Sequence, residues 1–93
     1  LKNIYVDQFF IGVDAINVDG GLMVYSIEEA ELKRSMIEKS KETILLCDHS
    51  KFEKMALMSI CPVERVHKII TGKETDPEII ETIRKLKVDI DVV

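Results

Sequence analysis

The chain has 93 residues, of which 46% are hydrophobic and 32% charged, and its formal net charge is −4. This length suffices for one domain, and the composition is typical of a folded core rather than of a disordered segment. The acidic balance and the lack of a Lys/Arg cluster exclude a DNA-binding arm or membrane-surface patch in this sequence, and no apolar run reaches the ~18 residues of a membrane span. We expect a cytoplasmic protein.

The first quarter of the chain combines a strand pattern with turn residues. Residues 4–11 are mostly β-branched or aromatic and end at Gly12, which predicts a strand. Residues 12–21 are rich in Gly, Asp and Asn, which is typical of a loop. Residues 22–25 are apolar and fit a short extended segment.

A helix and a second strand follow. Ser26 and Glu29 have the spacing of a capping box, which predicts a helix over residues 27–40. Residues 43–47 form a short apolar run, which predicts a buried strand. The next segment is mixed in character, and we expect a turn of helix near residues 54–59.

The last third of the chain repeats the alternation of strand and helix. Residues 68–71 predict another buried strand. Asp76 followed by Pro77 is typical of a helix N-terminus, and the apolar residues that follow at helical spacing predict an amphipathic helix. Residues 88–92 alternate between apolar and acidic, which predicts a half-buried edge strand.

Strands that alternate with helices predict an α/β domain with a mainly parallel sheet and flanking helices. Residues 4–11, 43–47, 67–71 and 88–92 should then be neighbouring strands. Ligands of such sheets bind outside the carboxyl ends of the strands. Polar side chains are concentrated at these ends, with Asp14 after the first strand and Asp48-His-Ser-Lys51 after the second. The pattern predicts a crevice at this edge.

Lys33 stands inside the apolar arc of the predicted first helix, because at ~100° per residue Met36 and Ile37 fall on either side of it. One interpretation is a lysine whose aliphatic stem covers the core. The other is an ammonium held in a cleft for an anionic ligand. Glu29, one turn earlier, is explained by the capping box and by an ion pair with Lys33.

Metal and thiol chemistry are not indicated. Neither His49 nor His67 has a second ligand at metal spacing, so we predict no metal and no cofactor. Cys47 and Cys61 form no CxxC motif and are expected to be reduced thiols, with a disulfide between them as the less favoured alternative. A hydrolase that uses Ser50 would need a GxSxG turn, which the sequence lacks.

Five segments together resemble the sensor domain of DeoR-family transcriptional repressors, in the right order over nearly the whole chain. The most specific are the helix EEAELK with SMI and the strand end ILLCDHSKF, which contains D-x-S-K-F. The matching segments are residues 9–14 (FFIGVD), 20–22 (GGL), 28–37, 44–52 and 69–71 (IIT).

The resemblance implies a fold similar to ribose-5-phosphate isomerase and glucosamine-6-phosphate deaminase. It also implies a phosphorylated sugar or related metabolite as effector, and a sensor that does not turn over its ligand. Carried over by position, the effector-binding residues would be Asp14, Lys33, Asp48 and Lys51. The cations would meet the phosphate and the acids would accept hydrogen bonds from sugar hydroxyls.

Two departures from the family pattern have consequences. Gly72 follows Thr71 where the family commonly has Asp, so one polar pocket group is missing. The sequence also begins midway through the family's sensor domain. The resemblance therefore implies that residues 1–93 are the C-terminal part of one effector-binding domain, incomplete in this chain. DNA would be bound only through a missing N-terminal helix-turn-helix domain, and we expect a homo-oligomer.

Two alternatives remain at this point. The chain could be a fragment of a sugar-phosphate isomerase or deaminase, in which an acid acts as general base and a lysine stabilises the oxyanion. It could also be a receiver-like signalling domain, since Asp48 ends a strand. The receiver ranks last, because the acidic pair expected after an earlier strand is missing.

Overall fold

The computed structural model describes residues 5–93, which form seven strands, two α-helices and two short 3-10 helices. In chain order the elements are β1 (Val6–Ile11), β2 (Ala15–Asn17), β3 (Gly21–Val24), α1 (Ile27–Glu38), β4 (Ser40–Leu46), a 3-10 helix (His49–Lys51), β5 (Met58–Cys61), a 3-10 helix (Val63–Arg65), β6 (Lys68–Thr71), α2 (Pro77–Lys85) and β7 (Asp89–Val92).

Four of the strands form a parallel sheet in the order β1-β4-β6-β7. This confirms the α/β fold class and the predicted neighbouring strands, except that residue 4 lies outside the described residues. One row of paired residues crosses the whole sheet, and each of its members is at most 4% exposed. The row consists of Ile11, Leu45, Ile69 and Ile90. These side chains form the centre of the hydrophobic core beneath the helices.

A second, antiparallel sheet of order β2-β3-β5 corrects two predictions. Residues 12–21 were predicted to be a loop, but 15–17 form a strand that pairs with β3. The turn of helix predicted near residues 54–59 is wrong, because β5 begins at Met58 and pairs with β3. In β5, local propensity was overridden by pairing with β3, which lies more than 30 residues earlier in the chain.

Both helices begin at the residues that the sequence predicts. The Ser26 hydroxyl accepts a hydrogen bond from the Glu29 amide at 3.3 Å, and the Asp76 carboxylate accepts one from the Glu78 amide at 2.9 Å. Each cap satisfies an amide that has no partner within its helix. Helix α1 is the longer of the two, and its 12 residues are too few to cross a bilayer; the other described helix is shorter still.

The face of the parallel sheet opposite the core is exposed. Following the chain, each new strand of the parallel sheet is added beside the previous one, always on the same side. Because crossovers between parallel strands are right-handed, both helices then lie on the same face of the sheet. On the other face, Phe10 is 53% exposed and Leu46 is 47% exposed. Beside them Lys68 forms ion pairs with Asp89 and Asp91 at 3.9 and 3.3 Å. We call this surface, which carries Phe10 on β1 and Leu46 on β4, the outer face.

Candidate functional site

The loops after β1 and β4 leave the parallel sheet at the same edge, because the two strands are parallel neighbours. Ile11 pairs with Leu45, and Asp14 and Asp48 each lie three residues beyond that pair. The two loops are also joined directly, since the Glu53 amide donates to the Ile16 carbonyl at 2.9 Å. The predicted site residues therefore gather at the carboxyl edge of the sheet, where open α/β sheets bind ligands.

Lys33 reaches this edge from helix α1. Its ammonium donates to the Gly12 carbonyl at 2.5 Å and to the Glu29 carboxylate at 2.6 Å, and its side chain is only 20% exposed. An ammonium has three N–H donors, so one remains for a ligand. Lys33 therefore does more than cover the core with its aliphatic stem. Its ammonium holds the turn after β1 in place, two residues before Asp14.

Asp14 is exposed and is oriented by the chain that enters helix α1. One of its carboxylate oxygens accepts a hydrogen bond from the Tyr25 amide at 3.3 Å. Within the part of the chain that the structure describes, this is the one hydrogen bond of the Asp14 side chain to protein. The second carboxylate oxygen is available to a ligand hydroxyl.

Asp48 begins the 3-10 helix that follows β4. Its carboxylate accepts hydrogen bonds from the Ser50 amide, at 2.8 Å, and from the Ser50 hydroxyl. These two bonds hold the pKa of Asp48 below its usual range, and the nearby Lys51 charge lowers it further. Asp48 is therefore an anion at neutral pH. Ser50 orients it, a role that the D-x-S-K-F pattern contained but that the sequence alone did not assign.

The contacts divide the four predicted residues into two pairs. Lys33 lies against the loop that carries Asp14, and the Lys51 charge acts on Asp48. No hydrogen bond or ion pair joins one pair to the other among the described residues. At the end of the third parallel strand, the Thr71 hydroxyl is buried and lies 2.9 Å from the Thr75 hydroxyl. The Thr71 hydroxyl is therefore turned inward, and Gly72 after it adds no side chain to this edge.

A cavity of about 430 Å³ lies beside this edge, between β2, residues 52–55 and α2. None of Asp14, Lys33, Asp48 and Lys51 lines it. The predicted site is therefore an open surface at the ends of β1 and β4, separate from the cavity.

The two thiols are free and unreactive in character. Burial raises the pKa of Cys47 to about 12 and that of Cys61 to about 11. Since the thiolate is the nucleophile and the metal ligand, neither sulfur is activated at neutral pH. Over residues 5–93, no three His, Cys, Asp or Glu side chains are grouped to hold a metal ion.

Comparison with known proteins identifies the family. A family model described as "DeoR C terminal sensor domain" matches residues 1–73. The transcriptional repressor AccR of Agrobacterium fabrum is 38% identical over 84 residues, which cover 89% of this chain and 32% of the relative. The glycerol-3-phosphate regulon repressor of Haemophilus influenzae is 36% identical over 73 residues, covering 73% of this chain and 29% of the relative.

A third relative, the HTH-type transcriptional regulator IolR of Bacillus subtilis, is 36% identical over 73 residues, covering 78% of this chain and 29% of its own length. The chain thus spans about a third of the length of these relatives. They are transcriptional regulators and not enzymes, which favours the sensor over the isomerase and receiver alternatives. The match over residues 1–73 and these identities show that the chain belongs to the DeoR C-terminal sensor domain family.

Proposed function

We propose that this chain is the ligand-sensing part of a DeoR-type transcriptional regulator and that it binds a phosphorylated sugar or a related metabolite. The observation that carries the proposal is the position of Lys33. Its side chain is 20% exposed, and its ammonium is held at the carboxyl end of β1, beside the Asp14 loop, with one N–H donor left over. A cation in this position attracts an anionic ligand, and Asp14 is placed to accept from a hydroxyl of the same ligand.

Two further observations support a phosphorylated effector. Lys51 supplies a second cation at the same edge, and charge-assisted contacts to phosphate are about twice as strong as neutral ones. The name of the Haemophilus influenzae relative refers to the regulon of a phosphorylated three-carbon compound. Asp48 is an anion whose pKa the Ser50 hydrogen bonds lower further. An anion accepts a hydrogen bond from a ligand hydroxyl and repels the phosphate.

The test is calorimetric titration of the full-length protein with a panel of sugar phosphates. Lys33→Met and Lys51→Met keep most of the aliphatic stem but remove the charge. Each lost contact is worth about 1.5–3 kcal/mol, so each variant should bind at least about tenfold more weakly. Lys41→Met is the matched control, since Lys41 is 85% exposed and lies near the opposite end of the sheet, on β4.

Unfolding curves separate binding from folding. Lys33 also stabilises the turn at Gly12, so the Lys33→Met variant must be shown to be folded at the titration temperature. Equal affinity of all three variants and the wild type would overturn the assignment of these lysines. Loss of binding in the Lys41 variant as well would show that general charge, not this site, attracts the ligand.

Residues 1–93 act, on this proposal, as the C-terminal part of a single effector-binding domain. DNA binding belongs to a separate N-terminal domain of the cytoplasmic regulator, because the chain carries a net charge of −4 and spans about a third of its repressor relatives. A gel-shift titration of the 93-residue chain should show no operator-specific complex. A salt-dependent specific shift would contradict this division of roles.

Self-association is part of the same proposal. The outer face presents Phe10 and Leu46 half-exposed, and β1 is an edge strand of the described sheet. Apolar sheet faces and unpaired strand edges favour contact with another chain. We propose a homo-oligomer in which this surface is covered.

A further inference from the structure

The cavity beside the predicted effector site has an apolar floor. Five lining side chains belong to the hydrophobic core or pack against it and close the bottom of the cavity: Ile16, Phe52, Val63, Ile79 and Ile83. All but Ile79 are at most 6% exposed, so the apolar surface that a partner can reach comes from Ile79 and from the rim. Two further lining residues stand on the rim, where Val18 is 57% exposed and Met55 is 65% exposed. We call this surface, lined by β2, residues 52–55 and α2, the acidic groove, for the charges of its rim.

The rim carries four carboxylates, from Asp19, Glu53, Asp76 and Glu78, against the single ammonium of Lys54. Asp76 is occupied as the cap of α2. The side chains of the other three acids make no hydrogen bond or ion pair with any residue of the described part of the chain. Uncompensated carboxylates around an apolar floor repel anions, which excludes a sugar phosphate, a nucleic acid or an anionic lipid surface as occupant.

Charge complementarity and exposed apolar area together define the partner that fits. We propose that the acidic groove docks a segment of a partner protein in which apolar side chains are flanked by lysine or arginine. The apolar side chains contact Val18, Met55 and Ile79, and the cations meet Asp19, Glu53 and Glu78. Val18 and Met55 extend the apolar surface beyond the cavity, as expected for an extended partner segment rather than a small amine.

The groove is adjacent to the effector site through strand β2. Asp14 immediately precedes β2, and Ile16 within it forms the groove floor and accepts the hydrogen bond from Glu53. Docking and effector binding therefore use different side chains of one continuous segment. The docking experiment needs no effector, so its outcome is independent of the effector assignment.

The experiment is fluorescence anisotropy of the full chain with a labelled peptide, Lys-Lys-Leu-Phe-Lys-Lys. Glu78→Lys should weaken binding at least about fivefold, because attraction becomes repulsion at the groove. The matched control is Glu31→Lys, an exposed glutamate on α1 with the same change in charge, which should shift affinity by less than about twofold. Val18→Ser tests the apolar part and should weaken binding about threefold.

Circular dichroism first establishes that each variant is folded. Weaker binding by Glu78→Lys and Val18→Ser, with the control unchanged, supports docking in the acidic groove. Equal losses in the Glu78 and Glu31 variants would show attraction to net charge alone and overturn the proposal. So would equal binding of a peptide in which Leu and Phe are replaced by Ser, or full competition by spermidine, since either outcome removes the need for an apolar anchor.

Discussion

Replacement of Gly21 by alanine tests the small antiparallel sheet, the element that the sequence did not predict. Gly21 begins β3 with φ +74°, and an added Cβ would lie 2.0 Å from the Cys61 carbonyl oxygen and 3.0 Å from the Pro62 Cα. Nonbonded heavy atoms normally stay about 3.5 Å apart, so β3 and the end of β5 must separate by about 1.5 Å. The pairing of Leu22 with Cys61 cannot survive that shift.

The expected loss of stability follows from two contributions. A non-glycine residue at positive φ costs about 1–2 kcal/mol. Complete exposure of the fully buried Leu22 would add about 1.5–3 kcal/mol, so exposure of about half of this side chain adds about 0.8–1.5 kcal/mol. We expect Gly21→Ala to lower the free energy of unfolding by at least about 2 kcal/mol, out of the ~5–14 kcal/mol typical for this length. The midpoint of thermal unfolding should fall by at least about 8 °C.

Urea and thermal unfolding, followed by far-UV circular dichroism, measure both quantities. Gly12→Ala is the matched control, because nothing lies within 4 Å of a Cβ built at Gly12. It should remain within about 0.5 kcal/mol of the wild type. If the two alanine variants unfold at the same urea concentration, the close approach of β3 to Cys61 is wrong.

Three further predictions concern a helix end, a carboxylate and a surface. Lys87→Gly should stabilise the chain by about 0.5–1 kcal/mol, because Lys87 follows α2 at φ 68°, and an unchanged urea midpoint would contradict this. Ser50→Ala should raise the pKa of Asp48 toward its ordinary value, so the carboxylate should protonate at higher pH in a carboxyl NMR titration; an unmoved curve would show that Ser50 does not hold it. Phe10→Gln should shift sedimentation toward monomer, whereas an unchanged distribution would move the proposed contact away from the outer face.

Local chemistry was sufficient to predict the parallel half of the fold. The Ser26 and Asp76 caps marked both helix starts, since a side-chain acceptor is needed wherever the first amides of a helix lack partners. The apolar runs at residues 43–47 and 68–71 marked the two central strands of the parallel sheet. Their alternation with helices also implied parallel pairing, and therefore that polar residues after β1 and β4 share one edge.

The small sheet and the second acceptor of Lys33 were decided by tertiary structure. Residues 15–17 are flanked by turn formers, and they become a strand only because β3 lies beside them, while β3 is in turn paired with β5. Helical spacing placed Lys33 in an apolar arc and predicted its ion pair with Glu29, but could not show its second acceptor. That acceptor is the backbone carbonyl of Gly12, 21 residues away, and a carbonyl is present at every residue, so its role depends on chain geometry and leaves no pattern in the sequence.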